Sequence, residues 1–183
     1  MAEDNDCKNN LGCIHIYYGN GKGKTTCAMG LAVRAAGCGK KVLIIQFMKT
    51  GRSSEIKMLE SLPGIEIMDA PRMTKFSFRM TDEERQEMLA ADNAVLGEIR
   101  DKVAGGDYDL LILDECLGSC HKGFLDEQLL IDFLRNKPEH LEVVMTGRHP
   151  DDTLIEIADY VTEMHKVKHP YDEGIRARRG IEF

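Results

Sequence analysis

A run of nine residues, Tyr18-Gly19-Asn20-Gly21-Lys22-Gly23-Lys24-Thr25-Thr26, leaves the chain little freedom in how it can fold. It follows an apolar, strand-like stretch, Cys13-Ile14-His15-Ile16-Tyr17-Tyr18, and opens a small-residue helical run, Cys27-Ala28-Met29-Gly30-Leu31-Ala32-Val33. Strand, glycine-rich loop, Lys-Thr and helix, in that order, is the layout of a phosphate-cradling P-loop. Successive backbone N–H groups and the positive helix end make a nest for phosphate oxygens. Glycine lets the backbone approach the anion. The loop is one residue short of the standard spacing, because Tyr18 stands where its first glycine belongs and Gly19 is the nearest earlier glycine. A shorter loop makes a smaller nest and holds a triphosphate differently. The G-x-G-x-G spacing is not that of a dinucleotide fingerprint.

Beyond the loop, apolar runs alternate with helical stretches, the pattern of a parallel sheet covered on both faces. Val42 to Phe47, Ile65 to Met68, Asp109 to Glu115 and Glu142 to Thr146 read as strands two to five, and Tyr160 to Val167 as a last strand. A helix is expected from Ser53 to Leu62, ended by Pro63-Gly64. Thr81 and Glu84 have capping-box spacing. Met88, Val95, Leu96, Ile99 and Val103 then share one side of a long helix that Gly105-Gly106 stops. Further helices are expected through Gln128 to Leu134 and after Pro150-Asp151-Asp152. Residues 1–11 read as a flexible tail and 12–183 as a single domain.

Composition narrows the class. The chain is 43% hydrophobic and 30% charged, as a soluble globular protein is. No apolar run is long enough to cross a membrane, and the acidic start, Met1-Ala2-Glu3-Asp4-Asn5-Asp6, is not a signal peptide. A cytoplasmic location is expected. A formal charge of −7 argues against nonspecific nucleic-acid or anionic-membrane binding. Arg176, Arg178 and Arg179 form a local basic cluster, read as a solvated or ligand-facing end. The six cysteines read as free thiols of a reducing compartment. Cys116, Cys120 and His121 lie about one helical turn apart, which leaves a metal reading open behind the structural one.

Asp114-Glu115 ends an apolar strand, as a Walker B element does. In parallel sheets ligands gather at the carboxyl ends of strands, where the P-loop also lies. Mg²⁺ takes hard oxygen ligands in an octahedron. Thr25, Asp114 and Glu115 are therefore candidate metal residues; the alternative is that both acids cap the next helix. Lys24 supplies a point charge for phosphate. Lys22 adds a second charge inside the loop or is solvated, and Arg148, closing strand five in Thr146-Gly147-Arg148, reaches phosphate or is a surface arginine. His15 reads as a core or packing histidine, and His165 and His169 have no partner spacing.

From Ile14 to the C-terminus the chain resembles the ATP:corrinoid adenosyltransferases of cobalamin synthesis and salvage. The marks are Gly19-Asn20-Gly21-Lys22-Gly23-Lys24-Thr25-Thr26, Gln46-Phe47-Met48-Lys49, Leu113-Asp114-Glu115, Thr146-Gly147-Arg148 and the tail Val167-Lys168-His169-Pro170-Tyr171-Asp172-Glu173-Gly174-Ile175. The resemblance implies a P-loop NTPase-like (RecA-like) α/β fold, a mostly parallel sheet with helices on both faces. It implies transfer of the 5′-deoxyadenosyl group of ATP to the Co(I) of a corrinoid, with release of triphosphate. ATP is then a co-substrate, held by residues 19–26 and Arg148 in an orientation reversed from most P-loop proteins. Mg²⁺ or Mn²⁺ is the expected ion. Family members place aromatic residues over the lower face of the corrin to displace its axial ligand; Phe76 and Phe78 fall in the matching stretch, with Phe78 where Trp is common. They join Lys24 as the implied catalytic residues, although a loop pinned by two core phenylalanines is an alternative. Some relatives fold a longer basic N-terminal extension over the corrinoid, whereas this chain starts close to its first strand. The resemblance also implies an electron-donating flavoprotein reductase and a homodimer as partners. A P-loop kinase or NTPase and a non-catalytic corrinoid or nucleotide carrier remain the alternatives.

Overall fold

A computed structural model of the chain describes residues 12–49, 53–73, 75 and 77–182. Residues 1–11 and Phe76 lie outside the described residues, and with them the expected N-terminal tail and one candidate aromatic.

Among the described residues six parallel strands form one sheet. They are β1 (Ile14–Tyr18), β2 (Val42–Gln46), β3 (Ile65–Met68), β4 (Leu110–Asp114), β5 (Glu142–Gly147) and β6 (Tyr160–Glu163). Their order across the sheet is β3-β2-β4-β5-β1-β6. The helices are α1 (Lys24–Gly37), α2 (Ile56–Leu59), α3 (Asp82–Ala104), α4 (Cys116–His121), α5 (Glu127–Arg135) and α6 (Asp152–Ile157).

The two-residue period of each strand sorts its side chains onto two faces. Leu43, Ile45, Leu111, Leu113, Val143 and Met145 join one buried cluster with Val95, Leu96, Ile99 and Val103 of α3 and Leu130 and Leu134 of α5. Val42, Ile44, Leu110, Ile112 and Val144 turn the other way, onto Ala28, Met29, Ala32 and Ala35 of α1 and Ile56 and Leu59 of α2. Both faces are therefore covered, as an all-parallel sheet requires. The alanines of α1 bring that helix, and the loop at its start, close to β4 and β5.

The expected capping box is present: the Thr81 hydroxyl accepts from the Glu84 amide, and the Glu84 carboxylate accepts from the Thr81 amide at 2.7 Å. Two expected elements are shorter than read. The helix expected from Ser53 to Leu62 is one turn, Ile56–Leu59, and its N-cap, Glu55, makes no side-chain cap hydrogen bond. The last strand stops at Glu163 instead of Val167, because its partner β1 ends at Tyr18 and turns away at Gly19, with φ of 112°. No helix among the described residues is long and apolar enough to cross a membrane.

Candidate active site

The chain passes from β1 to β2 by crossing β4 and β5, so β1 and β4 end on the same carboxyl edge with β5 between them. Such a point of strand-order reversal leaves a crevice for ligand. The glycine loop fills the β1 side. Gly19 and Gly23 both take positive φ, 112° and 115°, and a Cβ on Gly19 would lie 2.6 Å from the Met164 carbonyl oxygen. That carbonyl accepts from the Gly21 amide at 2.6 Å, and the Asn20 side chain accepts from the Lys166 amide at 2.8 Å. The chain after β6 thus closes one flank of the loop and uses up the Gly21 N–H. What stays open is the start of α1. Its first N–H groups, on Lys24, Thr25 and Thr26, have no earlier helical carbonyl to bond, and its N-cap, Gly23, offers no side chain.

Lys24 is 8% exposed, and its Nζ donates to the carbonyls of Gly19 and Gly21, each at 2.9 Å. Burial lowers the pKa of this ammonium, opposed by the nearby acids Glu115 and Asp114 and reinforced by Arg148. Arg148, exposed just past β5, therefore shares a field with Lys24 and Glu115. Lys22 is exposed.

Asp114 is the hub. It is fully buried, and Oδ1 accepts from the hydroxyls of Thr25 at 2.8 Å and Thr146 at 2.7 Å. Its Oδ2 accepts from Gln46 Nε2 at 3.0 Å and faces Lys49 Nζ at 3.4 Å. Gln46 is its register partner across β2 and β4. Met48, with φ of 56°, turns the chain after β2 so that Lys49 returns over the acid. Glu115 does not continue the strand. It takes φ of 61°, gives its amide to Thr146 Oγ1 at 2.9 Å and becomes the N-cap of α4 without a side-chain cap bond. Burial, then the Asp114 charge, raises the pKa of its carboxyl.

The family model for ATP:corrinoid adenosyltransferase BtuR/CobO/CobP matches residues 10–183. The chain belongs to this family. It is 34% identical over 173 residues to the corrinoid adenosyltransferase of Escherichia coli (strain K12), covering 94% of this chain and 86% of the relative. The corrinoid adenosyltransferase CobA of Salmonella typhimurium is 35% identical over the same shares. Among solved structures, the cytoplasmic domain of EssC superposes with a TM-score of 0.55 at 18% identity, over 91% of this chain and 34% of that one, a likeness of fold alone. The protein is thus an adenosyltransferase that uses ATP as co-substrate and a corrinoid as the other substrate.

In the adenosyltransferase, hard oxygen donors gather where the glycine loop meets the end of β4. Because Thr25 gives its hydroxyl hydrogen to Asp114, its lone pairs are left for a cation, which suits Mg²⁺. Phe78 lies in a 3₁₀ turn, Ser77–Arg79, between β3 and α3. Its ring is 74% exposed, with the Arg79 guanidinium 5.5 Å from its centroid. Arg85 fixes the turn by donating to the Ser77 carbonyl at 2.7 Å. The exposed ring does not fit the reading of Phe78 as a core residue.

Cys116 packs into the core, burial holds the Cys120 thiol up at about 12, and His121 lies against the His149 ring at 4.7 Å. Among the described residues no group of three or more His, Cys, Asp or Glu could hold a metal, so the Cys116/Cys120/His121 alternative has no support. Of the basic tail cluster, Arg178 pairs with Glu182 at 2.9 Å. Sequence reasoning assigned no role to Gln46, Lys49, Thr146 or Met164. The first three stood in the resemblance marks, which was their only signal; Met164 acts through its backbone, which leaves none.

Proposed function

We propose that residues 19–26 grip the polyphosphate end of ATP and present the ribose 5′ carbon outward to a corrinoid. The observation that carries this reading is the Thr25–Asp114 hydrogen bond of 2.8 Å, which joins the phosphate loop to the acidic end of β4. Lys24 leaves the Gly19 and Gly21 carbonyls for phosphate oxygens, while the free N–H groups of the first turn of α1 bind others. With the Gly21 amide engaged by Met164, the nest is small, which suits an orientation different from that of a phosphoryl-transfer enzyme.

In the reaction the Co(I) electron pair forms the cobalt–carbon bond at C5′. The bond from C5′ to the triphosphate oxygen breaks, and its electron pair leaves with triphosphate. Lys24 and Arg148 meet the charge gathering there. Thr25 would hold Mg²⁺ or Mn²⁺ with Asp114 orienting its hydroxyl and Glu115 beside it; the ion would supply further charge neutralisation for the leaving group. Phe78, at the family's second aromatic position, with Phe76 as the first, would lie against the lower corrin face and displace the axial ligand, making Co(II) easier to reduce. A flavoprotein reductase as electron donor and a homodimeric assembly complete the reading.

The test is product analysis after mixing the protein with ATP, Mg²⁺ and reduced cobalamin. A light-sensitive alkylcobalamin spectrum with stoichiometric triphosphate is expected. Accumulation of ADP with an unchanged corrinoid spectrum would refute it.

A further inference from the structure

The amino-terminal edge of the sheet holds a second concavity, of about 540 Å³, at the opposite end of β1 from the glycine loop. His15 on its wall is four residues from Gly19, about 13 Å along the strand. The last turns of α1 roof it with Leu31, Arg34 and Ala35, and Leu110 at the start of β4 extends the apolar surface. Its volume is within the range of small-molecule sites, about 300–1,000 Å³.

The charges that line it are unequally satisfied. Glu142 already accepts from His15 Nε2 at 2.5 Å and from the Cys13 amide at 2.8 Å. The His15 ring is further fixed by stacking on Tyr160 at 4.4 Å. Asp109 accepts from the Lys41 amide at 2.8 Å and pairs with Lys40 at 3.5 Å. Both acids of the wall are therefore committed to protein partners. Arg34 and His140 also line the cavity, and neither makes an ion pair among the described residues. Guanidinium donates in a fork that matches planar oxyanions.

We propose that this cavity is a ligand site, distinct from the nucleotide site, for a small organic anion whose charged head pairs with Arg34 and His140 and whose apolar body lies on Leu31, Ala35 and Leu110. It does not rest on the transferase reading. A ligand there presses on the C-terminal half of α1, the helix whose first turn carries Lys24 and Thr25.

Cys38, exposed at the rim, reports occupancy, and Cys27, exposed eleven residues earlier on α1 and about 16 Å away, is the internal control. The probe is anilinonaphthalene sulfonate, an apolar anion, added to the full chain with and without saturating ATP. Alkylation of each thiol by iodoacetamide is followed by peptide mass spectrometry. Slowed modification of Cys38 with an unchanged Cys27 rate is expected, and ATP leaves that protection in place. In Arg34→Ala the probe concentration for half protection rises about tenfold, the loss of one charge-assisted contact, and Arg34→Lys falls between. The proposal is overturned if Cys38 is not protected, if both thiols slow alike, if ATP relieves the protection, or if Arg34→Ala protects as well as the wild type.

Discussion

Asp92 on α3 is a buried acid that makes no ion pair among the described residues. It is 1% exposed, accepts from Ser119 Oγ at 2.7 Å through Oδ2, and among the described residues has no hydrogen-bond partner at Oδ1. The adjacent Cys120 thiol is neutral at ordinary pH and offers no counter-charge. Burial pushes the Asp92 carboxyl up from 3.8 to about 6, with the Ser119 bond opposing. Below pH 3.8 the group is protonated in both folded and unfolded chains. Between there and about pH 6 the unfolded chain sheds the proton while the folded one keeps it, so stability falls as pH rises, then levels off. The gap of about 2.2 pH units, at 1.36 kcal/mol each, corresponds to about 3 kcal/mol as an upper bound. Asp92→Asn keeps the shape and has no proton to lose. Its stability relative to the wild type should therefore rise by about 2–3 kcal/mol between pH 4 and pH 7. At about 2–4 °C per kcal/mol that is a relative Tm gain of roughly 4–12 °C. Urea titrations of both proteins at several pH values read the difference directly, and the subtraction removes carboxylates common to both. A difference that stays constant within about 0.5 kcal/mol over this range would refute the burial argument.

Two further outcomes concern the site. Lys24→Ala should weaken ATP at least tenfold by loss of charge-assisted hydrogen bonds, with an unaltered far-ultraviolet circular dichroism spectrum; unchanged ATP affinity in calorimetry would remove Lys24 from the phosphate site. Phe78→Ala should change stability by no more than about 0.5 kcal/mol, since its ring is exposed. It should slow conversion from Co(II) while sparing Co(I), and equal losses from both starting states would count against axial-ligand displacement.

The centre of the sheet was legible because β2 and β4 are apolar on both faces and short, so the runs Val42 to Gln46 and Leu110 to Asp114 stand out from the helices between them. The long helix α3 was legible from its capping box and apolar stripe. The segment from Ser53 to Leu62 misled because its helical composition says nothing of an N-cap that makes no bond. The extent of the last strand was hidden for another reason. Strand length is set by the partner, and Gly19 turns β1 away, so the ladder ends once the Met164 amide has bonded the Tyr18 carbonyl. The same segment then seals the glycine loop through a main-chain carbonyl, a contact to which side-chain identity is nearly irrelevant.

Asp114 and Glu115 show why adjacent acids need not share a role. As sequence they are interchangeable carboxylates at a strand end. In the fold, Asp114 is the last residue of β4, where the pleat turns it into a buried net of two hydroxyls, an amide and an ammonium. Its accepting capacity is largely used by Thr25, Thr146 and Gln46, with Lys49 alongside. Glu115 leaves the strand with left-handed backbone geometry and keeps a half-buried carboxylate within the field of Lys24, Lys49 and Arg148. Replacing the first acid breaks a scaffold that ties α1, β2, β4 and β5 together. Replacing the second changes the charge seen by whatever the glycine loop holds.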